Sequence, residues 1–532
     1  MSIVGGMYNS YLELWNTSPL LFTLSSIIIL LVTLVSWAQL EQMIFVNPNE
    51  PPVVHYWIPF IGSLIELGIH PLEFMRKNRE KYGDYYTFLM FGRRMSVCLG
   101  VEGNSLVFNA KQSYANAEDA YVHLTKPVFG EGVIYDVPNS ILMEQKKMAK
   151  SGLSTENLKL YIPIIIDEVN LYLDENWTKD SDVVDIFKAV SEMIIMTASH
   201  CLIGPEIRAQ LHTGVADLYH TLDASFTPIH FLFEWLPLPS YYSCEAAHKE
   251  LFKIFSKIIE TRKKDVDNKH EDMLDQFINY KFKNGDKLSD QKVANMSIAI
   301  LMAGQHTSSA TSAWTLLNLA NNHKLLEETY KDMQDAMGKD LPYPQFDDLK
   351  KIPILECLVK ETLRLRNPII QILRKVTQPI AIPGTNYVIQ KGSYLLSSPT
   401  VTQTDSKYFP DPEKYDPHRW DDFVSVETTN TDNDTPSKDN KASVVDEGDV
   451  DYGFGNINSK SAKSPYLPFG AGRHRCIGEQ FAFVQIRTIL YTMLKRFDFE
   501  LDPKRGMPQP DYTSMVILPT APASIKYIRR KN

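Results

Sequence analysis

The stretch Pro468-Phe469-Gly470-Ala471-Gly472-Arg473-His474-Arg475-Cys476-Ile477-Gly478-Glu479 sets one cysteine in a glycine-punctuated, basic loop that opens into a helical pattern. Cationic neighbours and a helix N-terminus both favour negative charge on sulfur, so a depressed thiol pKa is expected at Cys476. Gly472 and Gly478 would let the backbone approach a flat, bulky partner without a clash at Cβ. A lone cysteine is ordinarily a buried, inert small hydrophobe. These neighbours point instead to a ligating thiolate.

Phe469, Gly472, His474, Cys476 and Gly478 fall at the spacing F-x-x-G-x-(R/H)-x-C-x-G, five fixed positions in ten residues. On this loop the chain resembles the cytochrome P450 haem-thiolate monooxygenases. The resemblance implies a mainly α fold with small β sheets, and a single catalytic domain behind an N-terminal transmembrane helix. It implies haem b as cofactor, with Cys476 as the axial ligand of the iron, a role in which thiolate electron density favours O–O cleavage. His474 would then face a haem propionate and Phe469 would pack near the sulfur.

Composition sets wide limits around that loop. The chain has 532 residues, 44% hydrophobic and 11% aromatic, enough for a large core. Length alone suggests two or three domains; the resemblance implies one. Five cysteines, Cys98, Cys201, Cys244, Cys357 and Cys476, are widely separated and lack CxxC spacing, so neither a disulfide framework nor a zinc site is indicated. A net charge of -9 gives no basic footprint for nucleic acid.

Residues 1–19 form an N-terminal segment, and residues 20–37 (LLFTLSSIIILLVTLVSW) are 18 positions without a charge, just long enough to span a bilayer. A cleaved signal peptide is the competing reading, but no basic n-region or A-x-A-like exit is present. The first Lys or Arg of the chain is Arg76, so charge bias gives no orientation. The resemblance implies a single-pass protein of the endoplasmic reticulum membrane with a cytosolic catalytic domain. Residues 38–56, with Asn47-Pro48-Asn49-Glu50-Pro51-Pro52, read as a stiff proline-rich linker, and residues 57–532 as the catalytic domain. Within it, Tyr85 to Met90 and Met95 to Leu99 around Phe91-Gly92-Arg93-Arg94 form a hairpin pattern. Residues 421–450 hold nine acidic residues against Lys438 and Lys441 and almost no large apolar groups, the composition of a flexible insertion.

A long apolar helix is expected from an N-cap at Ser289 to about Ala320, with Ala303-Gly304-Gln305-His306-Thr307 in its middle. Gly304 costs about 1 kcal/mol relative to alanine in a helix interior, which a flat group against the backbone would explain. Thr307 on its own would bond back to an upstream carbonyl. In the P450 family this position reads A/G-G-x-acid-T, where acid and alcohol deliver protons to the reacting oxygen. His306 stands in place of the acid, which resembles the sterol 14α-demethylase branch, and an imidazole relays protons near neutral pH. The resemblance therefore makes His306 and Thr307 catalytic and sets Gly304 against the haem.

Glu361 and Arg364 lie at i, i+3 on one helical face, and Asp416-Pro417-His418-Arg419-Trp420 matches the family's later arginine segment. By resemblance, Glu361, Arg364 and Arg419 form a buried structural network behind the cysteine loop. Along Tyr121, Phe129, Tyr135 and Lys146 the chain is similar to the fungal sterol demethylases, which implies that Tyr121, Tyr135, Lys146 and Arg374 contact haem propionates. Tyr121, Phe129, Phe226, Ala303, Ile370, Gln371, Ser514 and Met515 would line the substrate cavity. Lys146, Lys147, Lys150, Arg475 and Arg487 offer a docking face for an NADPH-dependent reductase, with solvated helix charges as the plain alternative.

The resemblance implies removal of the 14α-methyl group of lanosterol or a related sterol by three O2- and NADPH-dependent oxidations, in ergosterol biosynthesis. A haem-thiolate hydroxylase of another lipid and a non-catalytic haem or sterol binder are the alternatives. The chain departs from the pattern at Arg366 and Ile370, where histidines are expected, and at Gln371, where serine is expected. These changes put substrate preference and azole contacts in that region in question.

Overall fold

The computed structural model describes residues 17–44, 47–211, 215–223, 225, 230, 238–265, 272–282, 285–421 and 461–531. Phe226 and, Asp421 apart, the acidic stretch 421–450 lie outside the described residues. Helix α1 (Pro19–Ile44) has 26 residues, and its most apolar 18-residue span has a mean hydropathy of 2.4 and no buried residue. It is long and apolar enough to cross a bilayer, which suggests a membrane anchor.

The helix runs past Trp37, so the expected linker begins as helix. Ala38 is fully buried, and the Gln39 and Gln42 amides both donate to the Tyr56 carbonyl at 2.9 Å. Tyr56 N–H returns a bond to Gln42 Oε1 at 3.1 Å. Further on, Val54 N–H donates to Thr87 O at 2.7 Å and Thr87 N–H to Pro52 O at 2.8 Å. The globular body therefore starts near Pro52, ahead of residue 57.

The expected hairpin forms as β1 (Tyr85–Met90) and β2 (Arg93–Cys98), with Phe88 opposite Met95; Arg93 and Arg94, expected between the strands, instead pair with Met90 and Leu89. Phe91 and Gly92 adopt φ of 48° and 70°, a two-residue turn whose twist suits the flanking strands. With β3 (Ala115–Asn116), β4 (Ile372–Val376) and β5 (Tyr394–Ser397) the hairpin builds a five-stranded sheet ordered β1-β2-β5-β4-β3. Only β2 and β5 are parallel.

The rest is mainly helical. The helices that position the site are α2 (Glu118–Phe129), α3 (Asn139–Ser151), α4 (Ile186–Ala198), α5 (Val215–Asp223), α6 (Pro239–Lys264), α7 (Asp290–Ala320), α8 (Pro353–Leu365) and α9 (Glu479–Arg496). The 31 residues of α7 span about 45 Å at 1.5 Å per residue. Ser289 caps α7, its hydroxyl accepting from Lys292 N–H at 3.4 Å. Helices α4, α6, α8 and α9 all pack on it, and its apolar side chains are the spine of the largest hydrophobic cluster. A second cluster, including Tyr86, Phe88, Leu124, Leu373 and Leu396, fills the space between sheet and α2. Burying a side chain of that kind contributes roughly 1.5–3 kcal/mol.

Burial along α7 has one interruption. From Val293 to Leu317 every residue is buried except Ile300, Ala303, Gly304 and Thr307. Those positions are i, i+3, i+4 and i+7, a single helix face. The middle of the most deeply packed helix thus leaves one open stripe.

Candidate functional site

The cysteine loop is closed by a bond from Cys476 N–H to Phe469 O at 3.0 Å, and α9 begins three residues after the cysteine with Gly478 at its N-cap. Phe469 packs against Phe483, ring centroids 5.6 Å apart. Cys476 has an accessible side chain although it lies deep within the protein, so the space it meets is interior. That location reverses the expected thiol pKa. Burial pushes it up, and this outweighs the Gly478 N–H bond, Lys146 and Arg475, while Glu479 adds to the rise. Gly472 serves a different purpose from the one its position suggests. Its φ is +62° and a Cβ would meet the Phe108 carbonyl at 2.9 Å, so local packing demands it. At Gly478 a Cβ would instead sit 3.8 Å from the sulfur.

Several of the sequence candidates converge beside that loop. Lys146 of α3 donates to the carbonyls of Arg473 and Arg475 at 2.8 Å each, and burial lowers its pKa to about 8. Tyr121 and Tyr135 stack with centroids 5.4 Å apart, Tyr135 stands 6.0 Å from the His474 ring, and the Tyr121 hydroxyl accepts from Leu373 N–H at 2.8 Å. Burial raises both phenol pKa values, that of Tyr135 to about 12. Arg374 is 2% exposed; it donates once, to Leu373 O at 2.8 Å, while its Nε and Nη2 have no hydrogen-bond partner. His474 Nε2 is likewise unpartnered. Burial, then Arg374, Lys146 and Arg473, hold His474 well below the usual imidazole range, so it is neutral at pH 7.

On α7, Thr307 Oγ1 donates to Ala303 O at 3.0 Å, and a Cβ on Gly304 would meet nothing within 4 Å. Ala303, Gly304 and Thr307 lie on the open stripe. His306, one residue off it and buried, faces Asp223 of α5 at 3.3 Å. A carboxylate, absent from the helix motif itself, thus stands beside the imidazole from another helix.

Behind the cysteine loop lies the expected charge network. Glu361 and Arg364 are fully buried, joined by Arg364 Nε and Nη2 donating to the two carboxylate oxygens at 2.8 Å. Arg419 Nε donates to Glu361 at 3.0 Å, Trp420 Nε1 at 3.0 Å and Asp416 N–H at 2.9 Å. Arg364 also bonds the carbonyls of Gln403, Pro412 and Lys414. Gln403 Oε1 accepts from Leu467 N–H at 2.9 Å, and Trp420 packs 4.5 Å from the Tyr466 ring, which carries the network to the approach of the loop.

A cytochrome P450 family model matches residues 51–527. The chain belongs to the cytochrome P450 family. It is 44% identical over 497 residues to the sterol 14-alpha demethylase CYP51A of Gibberella zeae, covering 92% of each chain. It is 44% identical over 499 residues to the eburicol 14-alpha-demethylase of Uncinula necator, covering 92% of each. To the lanosterol 14-alpha demethylase of Candida tropicalis it is 43% identical over 510 residues, 93% of each. The retinoic acid bound cyanobacterial CYP120A1 structure shares the fold, with a TM-score of 0.70 at 19% identity, covering 91% of this chain and 100% of that one.

The P450 family implies a haem-thiolate cofactor, and the residues present fit one. An accessible sulfur, unpartnered Arg374 and His474 nitrogens and two buried phenols make a donor set suited to an iron and to carboxylates. Among the described residues no carboxylate lies within ion-pair distance of Arg374. An anionic ligand is what such a cation lacks.

The substrate-side candidates are spread more widely. Phe129 is buried at the C-terminal end of α2. Met515 packs on the cluster containing Leu373 alongside Tyr121, and Ser514 Oγ accepts from Val516 N–H at 3.4 Å. Ile370 is buried and lines a small hollow with Arg366, Asn367, Tyr512 and Ile517, while Gln371 is half-buried beside it. Arg366 stands 5.2 Å from the Trp314 ring. The proposed basic docking face does not survive. Lys146 is spent on the loop carbonyls, Arg475 is buried against Glu479 at 2.7 Å, and Arg487 is buried against Glu356 at 2.5 Å. Lys147 alone of the five is exposed. Sequence reading missed Asp223, Gln403 and Trp420. Trp420 alone carried a signal, as neighbour of Arg419.

Proposed function

We propose that this P450 removes the 14α-methyl group of lanosterol or a related sterol by three successive oxidations, with O2 as oxidant and electrons from an NADPH-dependent reductase. The observation that carries the reading is the group of buried cations and tyrosines beside an accessible thiol, in a chain so similar to proteins named sterol 14-alpha demethylases. Cys476 would ligate the haem iron; Tyr121, Tyr135, Lys146, Arg374 and His474 would hold the propionates. Bound there, haem supplies oxygen activation at the thiolate-ligated iron.

The chain's own residues account for the remainder. Ala303, Gly304 and Thr307 offer a smooth apolar stripe with one hydroxyl, against which a flat group and an apolar substrate both fit. Asp223 stands 3.3 Å from His306 Nε2, so the pair would hold a mobile proton one residue from Thr307. Phe129, Ile370, Gln371, Ser514 and Met515 would shape the sterol cavity. The anchor would place the enzyme on the endoplasmic reticulum with its catalytic domain in the cytosol, where the reductase partner and a sterol dissolved in the bilayer meet it.

Reduced carbon-monoxide spectra, titration with lanosterol and product analysis with a competent reductase test this on wild type and Cys476→Ala. Wild type gives the thiolate-type band, a sterol-induced spectral shift and the 14-demethylated product, and Cys476→Ala gives none of them. A thiolate band without a sterol response would move the assignment to another lipid. Sterol binding without turnover would leave a binding protein.

A further inference from the structure

The turn between α2 and Tyr135 is held far more tightly than its length requires. Gly130 and Gly132 have φ of +86° and +74°, and Cβ atoms there would meet the Asn295 amide at 2.4 Å and the Lys292 side chain at 2.8 Å. Ile134, a β-branched residue, has φ of 53°, a conformation such residues rarely adopt. Strain of this kind persists only where the surroundings over-determine it.

Two buried amides supply that constraint. Asn295 of α7 is 1% exposed and its Nδ2 donates to Glu131 O at 3.0 Å. Gln145 of α3 is 1% exposed; its Nε2 donates to Gly132 O at 2.9 Å and its Oε1 accepts from Ile134 N–H at 3.1 Å. Asp136 Oδ2 accepts from Gly132 N–H at 2.9 Å. The Cys244 thiol of α6 reaches Pro127 O of α2 at 3.7 Å, which holds the helix end that leads into the turn. Phe129 precedes the clamped turn and Tyr135 ends it. Asn295 shares its helix with His306, and Gln145 precedes Lys146.

We propose that Asn295 and Gln145 are positioning residues that clamp the turn at residues 130–136 between α7 and α3, fixing Phe129 toward the sterol and Tyr135 toward the propionate-binding group. The inference deepens the functional reading above and rests on it for the roles of Phe129 and Tyr135. Neither amide touches substrate; each acts through the turn. Losing a buried hydrogen bond changes an equilibrium by about tenfold, and that is the scale expected here.

Four variants test it: a mild pair, Asn295→Gln and Gln145→Asn, which keep the amide but displace it by one methylene, and a severe pair, Asn295→Leu and Gln145→Met, which remove both ends of the amide at similar volume. Hydrogen exchange at the Gly132 and Ile134 amides, read without turnover, should accelerate about tenfold in the severe pair and less in the mild pair. With haem bound, the lanosterol Kd and KM should rise by about the same factor while kcat falls less. Unchanged exchange at both amides in the severe pair overturns the clamp. Accelerated exchange with unchanged sterol affinity overturns the positioning role. Should wild type show no sterol response, the functional reading fails, and the exchange data still decide the clamp. Where a severe variant does not fold, its mild counterpart decides by the same criteria.

Discussion

Two buried charged assemblies stand on either side of the cysteine loop, and they differ in whether they are complete. Around Glu361 five donors converge on one carboxylate, and every charge has an opposite within bonding distance. Around Arg374 the cation makes one bond, and two of its nitrogens and one of His474 remain unpartnered. A native fold tolerates few orphaned buried polar groups. The closed assembly is satisfied from within the chain, whereas the open one has unused donors for negative charge.

The contrast is sharpest under mutation. Glu361→Ala leaves Arg364 buried without its counter-charge and should cost about 3–5 kcal/mol, enough to lose folded protein, as read by thermal unfolding and soluble yield. Arg374→Met should do the reverse in haem-free protein, leaving stability within about 1 kcal/mol of wild type or raising it. With haem bound, the same change should speed transfer of haem to a scavenger protein by about tenfold or more. Equal destabilisation by the two substitutions in haem-free protein would erase the distinction.

A pH scan sharpens it further. Lys146 titrates at about 8 in the folded chain against 10.5 when unfolded, so between those values the unfolded chain holds the extra proton. Stability of haem-free protein should accordingly rise as pH goes from about 8 to 10.5. Lys146→Met flattens the rise, and haem carboxylates beside the ammonium should suppress it. Denaturant midpoints across that window give the answer. The smallest effect belongs to an exposed pair: Lys249→Ala, which breaks a 2.6 Å bridge to Glu245, should leave the denaturant midpoint where it is in wild type.

How much of this was legible in the sequence follows from how local each signal is. The hairpin turn at Phe91-Gly92, the cap at Ser289 and the Glu361–Arg364 pair are set by residues a few positions apart, and all three formed as their spacing suggests. Asp223 reaches His306 from a different helix, and Gln403 joins Arg364 to Leu467 across three segments, so neither pairing has a local mark. The thiol pKa came out with the opposite sign because burial, which sequence does not display, outweighs the visible cations. Arg475 and Arg487 looked like surface charge for the same reason: each is buried against a carboxylate. Tyr121, Tyr135, Lys146, Arg374 and His474 share no local spacing, and only the family resemblance groups them ahead of the geometry.

The bonds from Gln39 and Gln42 to Tyr56 give the membrane helix a mechanical character. A loose cord would let the catalytic body roll freely above the lipid, but a helix fastened to both the N–H and the C=O of one residue acts as a mast stepped into a hull. Spanning helices lean when their apolar length exceeds the local bilayer. If the helix spans a bilayer, any lean would be handed on to the body, and lipid thickness would act as a rudder for the enzyme's heading.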